Sequence, residues 1–221
     1  MRREESPGQF ERSYFDSVYR DYAAQNPMQK LRYYRTLIER SLPEKQDLRL
    51  LDVGCAFGRF LSSLPPHWQR FGADVSHYAI AHASAAVPDI TFATYDGVHL
   101  PFEGQFDAIT ALDVLEHVPQ LNELLRNIAT ALRPGGVLLY VVPVYDGPTG
   151  PVIRLLDRDE THIHKWDRWS WLSLVSNSLT IERWEGIYRY LLPGRSYLHL
   201  PTKSLRRFTP AIAVIARKPA T

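Results

Sequence analysis

The chain has 221 residues, 45% hydrophobic and 23% charged, with a net charge of +2. That length fits one domain with a core of its own, and the near-neutral balance excludes a chain whose bulk charge seeks out nucleic acid. The lone cysteine, Cys55, excludes an intramolecular disulfide and fits a reducing compartment.

The opening stretch MRREESPGQFERSYF is charged and lacks the apolar run of a secretory signal. No apolar run approaches the ~18 residues of a membrane span. A cytoplasmic protein without stable membrane insertion is the expectation. Phe10, Tyr14, Val18 and Tyr22 recur at every fourth residue, the spacing of one helix face. Asn26 and Pro27 read as the N-cap and first residue of a second helix, whose stripe Leu31, Tyr34, Ile38 and Leu42 stops at Pro43.

From there strands and helices alternate. LRLLDV, RFGADV, ITFATY, FDAITAL and VLLYVV read as strands, and GRFLSSL, HYAIAHASAAV and LNELLRNIATALR as the helices among them. Strands apolar throughout, separated by helices, indicate a parallel sheet covered on both faces. DRWSWLSLVSNS reads as a further helix, and LTIERWEGIYRYLL and AIAVIARK as two last strands joined by a stretch holding Pro and Gly. The expectation is a single doubly wound α/β domain over 1–221: a helical cap at 1–44, a ligand-binding core at 45–142, a lid insertion at 143–166, and a C-terminal helix and strands at 167–221.

In such sheets ligands bind beyond the carboxyl ends of the strands. Four strands end there on an acid: Asp52, then Asp74 22 residues on, Asp96 and Asp113. Gly54 and Gly58 permit a tight turn and a close approach of backbone to ligand. Asp74 is placed to accept from ribose hydroxyls, Asp96 from an exocyclic adenine amine, and Asp52 and Asp113 to take an amino group or orient loop amides. The loop Gly54-Cys55-Ala56-Phe57-Gly58 lacks the G-x-G-x-x-G dinucleotide spacing, and no P-loop is present. Clustered carboxylates repel polyphosphate and favour a ligand with positive charge.

The runs LLDVGCAFGRF, GADVSHYAIAHA, YDGVHLPFEGQFDAITALDVLEHV and LRPGGVLLYVVP together resemble the class I S-adenosylmethionine-dependent methyltransferases. The likeness spans about residues 45–142 and is greatest to the small-molecule branch that includes the ubiquinone-pathway enzymes. It implies a Rossmann-like fold, with a mostly parallel seven-stranded sheet whose last strand is antiparallel. The cofactor would be S-adenosylmethionine, with S-adenosylhomocysteine as product. Asp52, Gly54 and Gly58, with Cys55 and Ala56 between the glycines, would surround the methionyl part. Asp74, followed by Val75, would bind ribose, and Asp96 the adenine amine, with Gly97 beside it. Leu112 and Asp113 would lie along the cofactor, and Glu116 and His117 would open the next helix. Ala56 stands where the family's loop usually has a glycine.

Methyl transfer from a sulfonium needs proximity and desolvation, and a base only where the acceptor must lose a proton. The stretch DRDETHIHKWDRWSW supplies His162 and His164 as candidates, with His117 as another. A metal site built from His162, His164, Asp157 and Asp159 lacks tight ligand spacing, and no metal is expected. Trp166, Trp169 and Trp171, with Tyr14, Tyr19 and Tyr22, read either as core or as cover for the acceptor. The position after the fourth strand reads LDVL, not the Asn/Asp-Pro-Pro-aromatic run of base amino-methylases, and Cys55 sits in the cofactor loop, not where a cytosine-5 enzyme keeps its nucleophile. No nucleic-acid module is visible. A small-molecule acceptor is the expected partner. The segment from Gly186 to Lys218 carries seven Arg or Lys, among them Arg189, Arg195, Lys203, Arg206 and Arg207, and no Asp or Glu, which points to an anionic or lipid-linked one. A protein that binds the cofactor without catalysis, as sensor or partner subunit, is the alternative. The sequence sets no oligomeric state.

Overall fold

The structure, a computed structural model, describes residues 10, 12–18, 22–43, 45–96, 98–157, 159–175, 178–192 and 196–220. Its strands are β1 (Arg49–Val53), β2 (Gln69–Asp74), β3 (Thr91–Thr94), β4 (Phe106–Leu112), β5 (Leu132–Pro143), β6 (Thr180–Leu192), β7 (Ser196–Thr202) and β8 (Ala211–Arg217). They form one sheet in the order β3-β2-β1-β4-β5-β8-β6-β7. The first five are parallel, and β8 runs antiparallel between β5 and β6. Strand order reverses between β1 and β4, which opens a crevice at their carboxyl ends.

The doubly wound α/β architecture is as the sequence indicates, with one strand more. The stretch read as a connection contains β7, which pairs antiparallel with β6 from Gly186–Thr202 to Leu192–Ser196. Pro201 hides it in the sequence, because proline cannot donate to a ladder. β7 ends the sheet, so one side of it needs no donors.

The helices are α1 (Arg12–Val18), α2 (Tyr22–Gln25), α3 (Met28–Ser41), α4 (Arg59–Ser62), α5 (His77–Ala86), α6 (Leu121–Ala131), α7 (Gly150–Leu156) and α8 (Arg168–Leu174). Alternation along the strands feeds two faces. Leu51, Ile109 and Leu138 pack with α6 and Trp171 on one, and Leu50, Ala108 and Leu139 with Leu31, Tyr34 and Ile38 of α3 on the other. Each large side chain buried this way contributes about 1.5–3 kcal/mol.

Three local expectations are corrected. Pro27, in extended conformation, is itself the N-cap of α3, which starts at Met28. Asn26 instead donates its amide to the Tyr22 carbonyl and accepts from Lys30. Glu116 and His117 occupy a single 3-10 turn, Leu115–His117, and the helix begins only at Leu121, beyond Pro119. Of the tryptophans, Trp171 is fully buried in the core with Trp166 against it, and Trp169 is 54% exposed beside Trp184. They are core and surface, and none of the three lines either of the two cavities described below. Tyr19, Gly97 and Arg195 lie outside the described residues.

Phe10 and aromatic residues of the first two helices cover the turn after β1. Phe10, Tyr14 and Phe15 pack with Ala56, Phe57 and Tyr78, and Tyr22 meets Phe57 edge-on at 5.1 Å.

Candidate active site

The turn after β1 is built by backbone geometry. Gly54 (φ 70°) and Gly58 (φ 69°) take the left-handed conformation. A Cβ on Gly54 would fall 2.3 Å from Val114 Cγ2, and one on Gly58 2.7 Å from Phe92 Cζ. The Gly54 and Cys55 amides both donate to the Ala73 carbonyl, at 2.7 and 3.2 Å, which pins the turn to β2. Ala56 is left-handed too, at φ 45°, which costs a residue with a Cβ roughly 1–2 kcal/mol. Its amide donates to Asp74 Oδ2 at 2.8 Å, and that bond holds it in place. The missing glycine is thus compensated by the carboxylate of the next strand.

Two cavities open beyond the strand ends and share Gly54, Ala56, Asp113 and His117. The first, about 140 Å³, is lined by Asp74, Val75, Asp96 and Val98, with Phe10 and Tyr14 from the front of the chain. The second, about 300 Å³, receives Asp52, Cys55, Leu112, Glu116 and His162, together with Lys30 and Arg189. Nine of the expected cofactor residues therefore line one cavity or both, and Gly58 shapes the turn from behind.

The acids are in different states. Burial pushes the Asp52 carboxyl up to about 7, against the hydrogen bond that Thr110 donates to it. Asp74 accepts from the Ser76 amide as well as from Ala56. Burial raises the Asp96 carboxyl, but the His99 amide and ring and the Val98 amide outweigh it and hold it at about 2. In Asp113 burial is outweighed by Arg189, which donates to it, and by Lys30, 3.5 Å away, so that it too is held at about 2. Glu116 has no such partner. Both its carboxyl oxygens are buried without a hydrogen bond among the described residues, and burial, then Asp113, push it well above the usual carboxylate range.

The three histidines separate. His164 lines neither cavity. Its Nε2 donates to the Val118 carbonyl at 2.8 Å, and its ring packs on Trp166. His117 lines both cavities, with Nδ1 bonded to Thr161 Oγ1 at 2.8 Å. Burial, then the neighbouring His162, push it down to about 4, so it is neutral at neutral pH. His162 faces the second cavity, 4.8 Å ring to ring from His117. Its Nδ1 lies 3.0 Å from Asp157 Oδ1 and 3.1 Å from the Tyr145 hydroxyl, and its Nε2 3.8 Å from Asp159 Oδ2.

Glu116, His117 and His162 bring one donor atom each within 4.8 Å of one another, the set from which a metal site would be drawn.

Sequence reading missed several of these residues. Lys30 carries a trace: it precedes Tyr34 and Ile38 at four-residue spacing, a charge in phase with a buried stripe. Thr110 and Tyr145 carry none, because strand pairing and a long loop bring them in. Arg189 was legible only as part of a basic stretch; its pairing with Asp113, 76 positions away, was not. Among the described residues, no helix is long and apolar enough to cross a membrane.

The sequence profile of a family described as "Methyltransferase domain" matches residues 22–182. A ubiquinone biosynthesis O-methyltransferase of Coxiella burnetii (strain Dugway 5J108-111) is 34% identical over 97 residues, 41% of this chain and 42% of that one. One from Xanthomonas axonopodis pv. citri is 30% identical over 125 residues, 52% and 51% of the two chains. The chain thus spans about half the length of the curated relatives it matches or less. A solved SAM-dependent methyltransferase from Methanosarcina mazei superimposes with a TM-score of 0.63 at 16% identity, over 80% of this chain and 95% of that one, which speaks for the fold alone. With the glycine-hinged turn, the strand-end acids and the profile match over most of its length, the chain belongs to the methyltransferase-domain family.

Proposed function

We propose that the protein transfers a methyl group from S-adenosylmethionine to an oxygen or nitrogen of a small-molecule acceptor, in the cytoplasm. One observation carries the reading: a cavity bearing Asp74 and a cavity bearing His162 meet at Gly54, Ala56 and Asp113. The residues fit the cofactor. The left-handed turn that starts at Gly54 opens onto both cavities, and Asp52, raised to about 7 by burial, is an acid that a neighbouring cation would ionise.

The cofactor supplies an already activated methyl group. The chain's own residues then bind, orient and exclude water. With the cofactor bound, Asp74 would accept from ribose hydroxyls, Asp96 from the adenine edge, and Asp52 would meet the methionyl ammonium. His162 takes the acceptor's proton at Nε2, and His117 serves as a neutral wall. The front helices and the 143–166 segment form the lid; Tyr14 donates to Asp159 across them at 3.4 Å. The names of the curated relatives favour oxygen as the methylated atom.

The acceptor in this reading is anionic or lipid-linked. Two cations, Lys30 and Arg189, line the second cavity and share the carboxylate of Asp113, and they are the groups that would meet an acidic acceptor. α7 runs directly into the loop carrying Asp159 and His162, and it exposes Val152 (54%), Leu155 (82%) and Leu156 (59%).

Calorimetry with S-adenosylmethionine tests the first half, and incorporation of labelled methyl groups into a metabolite extract the second. His162→Ala is expected to lower turnover roughly a hundredfold or more with cofactor affinity unchanged. Binding without incorporation into any acceptor would leave a cofactor-binding protein in place of an enzyme, and absence of binding would overturn the reading.

A further inference from the structure

We propose that Asp157 is a positioning residue which, braced by Tyr145 and Lys165, fixes His162 in the tautomer that carries its proton on Nδ1 and leaves Nε2 open to the acceptor. This rests on the reading of His162 as the base.

The hydrogen-bond directions carry the assignment. The Tyr145 hydroxyl donates to Asp157 Oδ2 at 2.7 Å, and Lys165 Nζ reaches the same oxygen at 2.8 Å. The Tyr145 proton is thereby committed, so its oxygen can only accept from His162 Nδ1, 3.1 Å away. Asp157 Oδ1, 3.0 Å from that nitrogen, is an acceptor as well. Both partners of Nδ1 among the described residues ask it for a proton, and a neutral imidazole has only one to give. The lone pair is therefore on Nε2.

The brace is built for this. The Asp157 side chain is 7% exposed and stays charged because Lys165 and Tyr145 hold it. Its amide closes the last turn of α7 on the Ile153 carbonyl, at 2.8 Å, so the carboxylate is fixed to a helix end. On the other side of the ring, Asp159 Oδ2 at 3.8 Å from Nε2 is placed to stabilise the imidazolium once a proton has arrived. Asp159 is itself oriented by the Thr161 amide and hydroxyl, at 2.9 and 2.5 Å. The sequence DRDETH thus supplies an orienting acid, a stabilising acid and a base within six residues.

The test is long-range ¹H–¹⁵N correlation of the histidine side chains in the S-adenosylhomocysteine-saturated protein. His162 is expected as the Nδ1–H tautomer in the wild type. In Asp157→Asn the amide NH₂ can donate to Nδ1, and the ring is expected to switch to Nε2–H. Turnover should then fall at least tenfold, with the S-adenosylhomocysteine dissociation constant unchanged, and Asp157→Glu should recover part of it. If Asp157→Asn does not fold, Tyr145→Phe removes one acceptor of the Nδ1 proton and is expected to give a mixed tautomer. An Nε2–H ring in the wild type, or the same tautomer in both proteins, would overturn the proposal. The two readings fail separately: equal turnover of His162→Ala removes the base, whereas the tautomer reports on Asp157 whether or not His162 is catalytic.

Discussion

Thr110 on β4 donates its hydroxyl to Asp52 at the end of β1, 2.6 Å away, with both residues buried. The bond lowers the carboxyl's proton affinity, but burial raises it by more, and Asp52 titrates at about 7. The folded-state value lies above the unfolded one. The stability Asp52 contributes is therefore fully present below the unfolded value near 4 and is lost as pH rises through about 7. A cationic ligand beside the carboxylate reverses the preference.

S-adenosylmethionine is accordingly expected to bind more tightly as pH rises from about 5 to 8, by roughly tenfold. Asp52→Asn should flatten that dependence, and Thr110→Val should move its midpoint upward. Calorimetry across pH measures both. A wild-type affinity indifferent to pH would take Asp52 out of the cofactor site.

Gly54 and Gly104 separate strain from collision. Both have positive φ, but a Cβ on Gly104 meets nothing within 4 Å, whereas one on Gly54 meets Val114 at 2.3 Å. Gly104→Ala is expected to cost roughly 1–2 kcal/mol and leave cofactor affinity alone. Gly54→Ala should cost roughly 1–3 kcal/mol more and weaken binding, with partial recovery in the double variant carrying Val114→Ala. Denaturant melts and cofactor titrations read the two effects. Equal costs for the two alanines would mean that Val114 yields freely.

What the sequence disclosed and what it withheld follow one physical line. Continuous apolar strands and 3.6-residue stripes are local signals, so β1 to β5 and the helices that cover them could be read directly. The strand-end acids were visible for the same reason. Their states were not: Asp52 and Asp113 look alike in the sequence, yet one accepts from Thr110 while the other is held by Arg189 and Lys30 from two distant elements. His162 and His164, two residues apart, are separated by which loop face meets the 3-10 turn, where the Ile163 and His164 amides both donate to the Glu116 carbonyl. β7 was lost to Pro201, a residue that only its place in the sheet explains.

Asp74 and Asp96 should respond differently to the same change. Both Asp74 oxygens are tied to backbone amides, and the residue is 7% exposed at the edge of the first cavity. Asp74→Asn keeps the shape and loses the charge and one acceptor. It is expected to weaken S-adenosylhomocysteine at least tenfold, or about 1.4 kcal/mol. The Asp96 side chain is 56% exposed and caps a turn through the Val98 and His99 amides; Asp96→Asn should cost only a fewfold. An unchanged dissociation constant for Asp74→Asn would remove the ribose assignment.

The last relationship is structural. Arg168 opens α8 with 2% of its side chain exposed and forks onto Asp146 through Nε and Nη2, at 2.7 and 2.8 Å. It also donates to the Arg206 and Thr209 carbonyls, and so ties the segment after β5 to the chain entering β8. A guanidinium this deep depends on its carboxylate. Asp146→Ala leaves it with carbonyls alone and is expected to destabilise the fold by roughly 3 kcal/mol, as removal of one partner of a buried pair does. Asp146→Asn retains one acceptor oxygen and should lose less than half of that. Urea denaturation of the two variants reads the difference. If Asp146→Ala unfolds at the wild-type midpoint, the two carbonyls hold Arg168 without help from the carboxylate.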